Sequence, residues 1–430
     1  MKVKEYGITG ERVYSDKLPN GLSVFVVPKL GFYKYHAFFA TDYGGADRRF
    51  RHEGKWYDTP EGVAHFLEHK MFDSEEGDVL TKLSVNGASP NAFTSTDITA
   101  YYFDCTEMFR ENLEILLSFV STPYFTPGSV KKEQGIITQE IRMSDDDPDY
   151  CLYYGLMKSL FKHNPLRDSV AGTVLSIAEI TPDTLYDCHK AFYTPSNMVL
   201  CVAGNVELPE VVDIAQNVLP DTPGETPERD YGPPESPLPD TPRFSKAMEV
   251  SLPLFLAGCK TEPAARGNDN LRLDLVSTLA LETLAGHSSP LYFRLYKEGL
   301  ISGDFSASFD SSADAAYIIF GGETREPDRV FDEVRGEILR ISRSGPDEDL
   351  FKRIKKAAAG SQIRMLNSFD AICGSLAGGF FRGYDAFDAP ELLASVTKDD
   401  ITAFLRDRIL PDNMAISIIA PKPLSRRTFP

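Results

Sequence analysis

Residues 181–204 read TPDTLYDCHKAFYTPSNMVLCVAG, and residues 397–420 read TKDDITAFLRDRILPDNMAISIIA. Aligned without a gap at an offset of 216, the segments pair Thr181 with Thr397, Pro195 with Pro411, and Asn197-Met198 with Asn413-Met414. Each copy is typical of a capped helix, a proline turn and a buried strand. The same offset pairs Phe93 with Phe309. The pattern indicates an internal duplication, and so predicts two homologous halves.

A proline-rich stretch separates the two copies. Between Pro220 and Pro242 there are eight prolines among acidic and small polar residues. Prolines at this density cannot donate the hydrogen bonds of helices or sheets, and they favour extended chain. We therefore predict an N-terminal domain of residues 1–219, a linker of residues 220–243 and a C-terminal domain of residues 244–430.

Helix and strand patterns are mixed in the first half. The strand patterns cover residues 22–28 and 34–41, with a strand or hairpin at 91–104, and the helical patterns cover residues 60–72, 107–121 and 127–144. They do not alternate as in a parallel, doubly wound sheet, and there is no G-x-G-x-x-G or P-loop motif. The predicted fold class is α+β, with two homologous domains that are each an antiparallel sheet flanked by helices.

Composition excludes several classes of protein. The 430 residues are 42% hydrophobic and 25% charged, which is typical of a globular protein, and the formal net charge is −18. Such an acidic chain repels phosphate backbones, so we expect no nucleic-acid partner. No window has the 18 or so apolar residues of a membrane span, so we expect no membrane partner. The six cysteines include no C-x-x-C pair, the N-terminus lacks a signal-peptide core, and we expect a reducing, cytoplasmic location.

The helix predicted at 60–72 has an apolar face and a face of polar, titratable side chains. Thr59 could cap it and Pro60 suits its first turn. At about 100° per residue, Val63, Leu67 and Met71 fall together on the side that would pack on the core. The opposite arc carries His65, Glu68 and His69.

Two imidazoles one helical turn apart can reach the same ion. Neutral imidazole nitrogen is a normal zinc ligand, and the carboxylate of Glu68 could deprotonate a water held by the ion. H-F-L-E-H at 65–69 is the inverted form of the H-E-x-x-H zinc peptidase motif. The alternative is a solvated charged arc with two incidental histidines, but the chain has only seven histidines.

A zinc site needs a third protein ligand. Glu133 and Glu140 lie seven residues apart on the helix predicted at 127–144, so they share a face. Ile137 and Ile141 give that helix an apolar side. A pair of glutamates on one face is more often simply solvated, so the residues alone leave this candidate open.

The chain resembles the pitrilysin/insulinase zinc metallopeptidases, which include mitochondrial processing peptidase. The resemblance covers most of the chain and is strongest from Thr59 to Asn205. In that family, H-x-x-E-H is followed by E-x-x-x-x-x-x-E on a later helix. The resemblance implies one zinc ion per chain, held by His65, His69 and Glu140. It implies that Glu68 is the general base and that Glu133 supports the ligands.

The segment G-A-S-P-N-A-F-T at 87–94 also matches the family. The resemblance implies an open sheet edge to which substrate peptide adds as a further strand. Asn91 and Ala92 would then bond the substrate backbone, and Phe93 would line a side-chain pocket. The alternative is an ordinary half-buried strand with Phe93 in the core.

Members of this family close four such domains into a clam-shell chamber, so this chain would form half of one. The family also has an Arg and a Tyr in a context like L-R-x-x-x-G-L-x-Y. The matching segment here is F-R-L-Y-K-E-G-L-I-S at 293–302, with Ser302 at the Tyr position and Arg294 out of register. We therefore expect a heterodimer whose homologous partner subunit supplies the Arg/Tyr pair; a homodimer is the competing assembly.

The predicted function is that of a zinc-dependent endopeptidase, or its catalytic subunit, acting on peptides or leader segments inside the chamber. The alternative is a catalytically silent or weakly active assembly subunit. Intact His65, Glu68 and His69 argue against that alternative. The second half illustrates loss of the site, because at offset 216 the three ligand positions become Leu281, Ala285 and Lys356.

Overall fold

The computed structural model describes residues 1–75 and 77–423. The strands of the first half are β1 (Lys2–Glu5), β2 (Arg12–Lys17), β3 (Ser23–Pro28), β4 (Tyr35–Thr41), β5 (Arg49–His52), β6 (Lys55–Asp58), β7 (Asp73–Ser74), β8 (Gly77–Asp78), β9 (Ser89–Thr94), β10 (Thr99–Cys105), β11 (Met198–Gly204) and β12 (Glu228–Arg229). Its helices are α1 (Val63–Met71), α2 (Val79–Val85), α3 (Phe109–Ser121), α4 (Pro127–Asp145), α5 (Pro148–Leu160), α6 (Val174–Ala178), α7 (Pro182–Phe192) and α8 (Leu208–Val218).

The second half repeats this mixture of helix and strand. Its strands are β13 (Arg243–Met248), β14 (Leu254–Thr261), β15 (Ser306–Ser312), β16 (Ala315–Glu323) and β17 (Ala415–Pro421). Its helices are α9 (Asn268–Ala285), α10 (Pro290–Lys297), α11 (Pro327–Ser344), α12 (Glu348–Met365), α13 (Phe369–Arg382), α14 (Ala389–Ser395) and α15 (Lys398–Arg408).

The five strands of the second main sheet have the same topology as five of the seven strands of the first. The first has the order β1-β2-β3-β11-β4-β10-β9, and the second has the order β13-β17-β14-β16-β15. In each sheet one pair is parallel, β3 with β11 and β13 with β17, and the other pairs are antiparallel. The predicted α+β class and the duplication are confirmed, and the parallel pair is a detail that the prediction lacked. It arises because the duplicated helix–turn–strand unit returns to the middle of its sheet.

Each half covers the sheet of the other with one helix. Helix α13 of the second half packs on β11 and β4 of the first sheet, and helix α5 of the first half packs on β13, β14 and β17 of the second. Apolar side chains from both halves fill these interfaces, among them Phe38, Cys201 and Leu376 in the first and Leu156 and Tyr317 in the second. The exchange joins the halves through buried cores as well as through the chain between them.

Part of the proline-rich stretch of residues 220–243 is held against the first half. β12 pairs with β5, and Arg229 forms ion pairs with Asp42 and Asp47. Burial raises the pKa of Asp47 to about 6, against the opposing effect of Arg229. Further along, the Glu235 carboxylate accepts hydrogen bonds from the backbone N–H groups of residues 162–164.

Among the described residues, every helix is too short or too polar to cross a bilayer. All six cysteines lie in the described part of the chain and none forms a disulfide.

Candidate metal centre

Helix α1 begins later than the sequence predicts. It starts at Val63, after Gly62, which has a φ of 89°. The predicted roles of Thr59 as cap and Pro60 as first-turn residue are therefore wrong, and the Thr59 hydroxyl donates to the carbonyl of Arg48 instead. The physical reason is a tight contact, because the backbone at Gly62 meets that at Ala171 and Gly172.

This contact leads to a prediction. A Cβ on residue 62 would lie 2.5 Å from the Ala171 carbonyl oxygen. The backbone of an alanine at this position would also have to adopt the left-handed conformation of Gly62. We expect Gly62→Ala to lower the free energy of unfolding by at least about 1–2 kcal/mol, measured by urea denaturation. The matched control is Gly135→Ala in α4, where no atom lies within 4 Å and the helix should gain up to about 1 kcal/mol. Equal stability of the Gly62→Ala variant and the parent would show that the contact does not position α1.

The two faces of α1 are as predicted from the helical period. Val63, Leu67 and Met71 are buried in the core of the first half. His65 and His69 lie on the other side, with their ring centroids 4.6 Å apart. The apolar face thus fixes the rotation of the helix, and with it the direction of both imidazoles.

Helix α4 brings Glu140 to these rings. One carboxylate oxygen of Glu140 lies 3.5 Å from Nε2 of His65, and the other lies 3.7 Å from Nε2 of His69. Ile137 and Ile141 are buried on the adjoining face of α4, so the helix presents Glu133 and Glu140 toward α1. The structure therefore brings together the three side chains that the resemblance assigns as ligands, although 75 residues of chain separate His65 from Glu140.

The donor set fits a zinc ion. Two ligands at about 2.0–2.1 Å from a tetrahedral ion lie roughly 3.3–3.4 Å apart. Each imidazole Nε2 lies a few tenths of an ångström farther than this from its nearer Glu140 oxygen, at 3.5 Å for His65 and 3.7 Å for His69. His65, His69 and Glu140 each offer one ligand atom within 4.8 Å of the others. Two imidazoles and one carboxylate are a ligand set found in catalytic zinc sites, where water or substrate takes the fourth position.

Glu133 braces one of the two histidines. Its Oε1 lies 3.0 Å from Nδ1 of His69, so with a proton on Nδ1 this ring donates to Glu133 and presents the Nε2 lone pair. Nδ1 of His65 is buried with no hydrogen-bond partner among the described residues. The predicted supporting residue therefore orients His69 alone.

Burial and neighbouring charge act differently on the titrating groups. Burial, aided by the nearby His69, lowers the pKa of His65 to about 4, so this imidazole is neutral and free to ligate. Burial also opposes the charged form of His69, but its hydrogen bond to Glu133 and the surrounding carboxylates raise its pKa overall. The pKa of Glu68 is raised, chiefly by burial and in part by Glu140, while the hydrogen bond from Thr94 and the charge of His69 oppose the rise.

Sequence reasoning missed the contact between Thr94 and Glu68. The Thr94 hydroxyl donates to Oε2 of Glu68 at 2.9 Å. Thr94 ends both β9 and the G-A-S-P-N-A-F-T motif, and it shares a strand face with Ala92. The sequence feature that could have indicated this contact is a threonine on the strand face that is turned toward α1.

Strand β9 lies at the edge of the first sheet, paired with β10 on one side. Asn91 is exposed, and its side-chain oxygen accepts from the N–H of Ala92. Ala92 packs toward the core below α1, whereas the ring of Phe93 lies on the opposite face, near Phe38 and Tyr102. Phe93 is 38% exposed, so it is not a core residue. It alternates with Thr94 along the strand and therefore points to the face opposite α1.

In the second half the equivalent positions carry no ligands. Leu281 and Ala285 are buried in α9, and Lys356 lies on α12. In the segment that resembles the family's Arg/Tyr context, Arg294 is ion-paired with Glu333 at 2.8 Å, and the Ser302 hydroxyl contacts Asp304.

Two family models match this chain. The model described as Insulinase (Peptidase family M16) matches residues 52–174, which include α1 and α4. The model described as Peptidase M16 inactive domain matches residues 179–358.

Curated relatives match along the chain. The uncharacterized zinc protease YmfH of Bacillus subtilis (strain 168) is 38% identical over 433 residues, which cover 98% of this chain and 100% of the relative. The uncharacterized zinc protease SCO5738 of Streptomyces coelicolor is 25% identical and covers 86% of this chain and 83% of the relative.

Solved structures match the fold. An M16-like peptidase from Alicyclobacillus acidocaldarius is 34% identical with a TM-score of 0.92, covering 96% of this chain and 99% of that one. Pitrilysin is 17% identical with a TM-score of 0.79, and the match covers 98% of this chain but 46% of pitrilysin. At that identity the likeness to pitrilysin concerns the fold alone, and this chain corresponds to about half of it.

Proposed function

Because the chain belongs to the insulinase family of peptidases, family M16, we propose that it is a zinc-dependent endopeptidase. The observation that carries the proposal is the convergence of His65, His69 and Glu140 beside the buried carboxylate of Glu68. Its substrates would be peptides or leader segments that fit inside a closed chamber. The zinc-protease names of the relatives support the choice of metal.

His65, His69 and Glu140 would hold one zinc ion per chain. When bound, zinc supplies Lewis acidity that lowers the pKa of water and polarises a peptide carbonyl. Glu68 would act as general base, accepting the proton of the attacking water and passing it to the leaving amine. Burial raises its pKa above the usual value of a carboxyl group, which makes it a better proton acceptor than an exposed glutamate.

Strand β9 would receive the substrate. Its outer edge is unpaired in the part of the chain that the structure describes, so its backbone can bond an extended peptide. In this role Asn91 and Ala92 would contribute backbone groups, and Phe93 would contact a substrate side chain on the far face of the sheet. Recognition through the backbone would give broad sequence preference.

A second subunit would complete the chamber. This proposal rests on the match to 46% of pitrilysin and on the departure at Ser302. A homologous subunit carrying the Arg/Tyr pair would supply groups that stabilise the tetrahedral intermediate. A homodimer would have to work without that pair.

Removal of the metal tests the function. We expect the purified chain, with its partner subunit if one co-purifies, to cleave a quenched fluorescent peptide of unfolded sequence. Dialysis against a chelator should abolish cleavage, and one equivalent of zinc should restore it. Magnesium is the matched control, because it prefers oxygen ligands and octahedral geometry. Zinc binding without any cleavage would instead indicate the silent assembly subunit.

A further inference from the structure

We propose that Thr94 is a positioning residue for the general base, tying the carboxylate of Glu68 to the edge strand that receives the substrate. The inference rests on the proposed function and adds a residue to it. It is carried by the hydroxyl of Thr94, which donates to Oε2 of Glu68 at 2.9 Å.

The Glu68 carboxylate has little else to orient it. Its residue is 8% exposed, so bulk water has limited access. Within residues 1–75 and 77–423, Thr94 is the one hydrogen-bond donor on this carboxylate. A charge-assisted bond to a buried carboxylate is among the stronger hydrogen bonds in proteins. Because Oε2 is engaged by Thr94, Oε1 remains the oxygen that can accept a proton from water.

Thr94 is itself held in place. Its backbone pairs with Thr99 on β10, and the buried Thr99 hydroxyl donates to the carbonyl of Tyr43 at 2.9 Å. A β-branched side chain on a strand has few χ1 rotamers, so a fixed backbone also fixes the direction of the hydroxyl. The hydroxyl is therefore placed by the sheet rather than by α1, which carries Glu68.

For catalysis, the consequence is that Glu68 and a bound peptide would both be positioned by strand β9. A peptide bonded to β9 takes its position from the backbone of that strand, and Glu68 takes its orientation from the last residue of the same strand. Reacting groups must be held within about 0.5 Å of their productive geometry, and this hydrogen bond restricts the carboxylate of Glu68 relative to the strand. Thr94 would thus act through Glu68 without touching the reacting atoms.

The test compares Thr94→Val with Thr94→Ser in the zinc-loaded protein, together with any partner subunit. Thr94→Val keeps the β-branched shape and loses the donor, whereas Thr94→Ser keeps the donor. We expect Thr94→Val to lower kcat about 10- to 100-fold, with KM and zinc content within about twofold of the parent, and Thr94→Ser to stay within about threefold. Thr106→Val, at an exposed position after β10, is the matched control and should leave all three quantities unchanged.

A second pair of variants, in which Glu68 is already replaced, tests whether Thr94 acts through Glu68. In a Glu68→Gln variant, adding Thr94→Val should cause no further loss of single-turnover rate and no change in the Kd of the peptide, measured by fluorescence anisotropy. The inference is overturned if Thr94→Val retains the parental kcat, if its loss is equal in both backgrounds, or if the Kd weakens tenfold. A parent protein without zinc-dependent cleavage would overturn the proposed function, and this inference with it.

Discussion

Replacing Glu68 by glutamine is expected to lower kcat by about 10²- to 10⁴-fold while one zinc ion per chain remains bound. Glutamine has nearly the same shape as glutamate but cannot accept a proton. It can still receive the hydrogen bond from Thr94 through its carbonyl oxygen. The binding of zinc should persist because Glu68 is not one of the three ligand candidates. Peptide cleavage and zinc content, measured on the same preparation, check both parts.

The matched control for this prediction is Glu111→Gln, an exposed position on α3 that should change neither quantity. Loss of zinc from the Glu68→Gln variant would move Glu68 into the ligand set. Retention of full activity would require another base and would contradict the proposed role.

Replacing Glu140 by glutamine is expected to weaken zinc binding by more than about 100-fold. Loss of a residue that only supports a ligand costs up to about 100-fold in affinity, and loss of a ligand should cost more. Zinc prefers an anionic oxygen to a neutral amide, and His65 and His69 alone leave it with two protein ligands. Activity should fall in parallel and should recover in part at high zinc concentration. Competition with a fluorescent chelator gives the affinity.

The control for this prediction is Gln139→Ala, the preceding residue on α4, whose side chain is exposed. Unfolding of both variants should be compared in the metal-free state, so that a loss of affinity is not mistaken for a loss of fold. Unaltered zinc affinity in Glu140→Gln would place the third ligand elsewhere.

Structural features that depend only on local sequence could be predicted for this molecule. The orientation of α1 follows from its own periodicity, because Val63, Leu67 and Met71 must be buried together. The topology shared by the two sheets could be expected from the duplicated segments ending at β11 and β17. These features need only the period of the chain and its repeat.

Features that depend on distant contacts were not predictable. The start of α1 is set by the backbone around Gly172, more than a hundred residues away. The capping pattern at Thr59 and Pro60 therefore predicted the wrong first residue for this helix. From the residues alone, Glu140 was only a candidate, since its approach to α1 depends on how two helices pack. The resemblance to a family selected it, and the structure places its carboxylate 3.5 Å from His65.

Strand β9 combines both kinds of feature. Its edge position was implied by the resemblance and is present in the sheet. The direction of Phe93 away from the ligand candidates follows from strand alternation once the face of Thr94 is known. The link from Thr94 to Glu68 needs the packing of α1 against β9, which no local pattern encodes.

The central claim is that one ion is shared by α1 and α4. X-ray diffraction from zinc-loaded crystals, recorded on both sides of the zinc absorption edge, tests it most directly. We expect one anomalous peak per chain at about 2.0–2.1 Å from a nitrogen of His65, a nitrogen of His69 and an oxygen of Glu140. A peak bound by other residues, or none at these three, would contradict it.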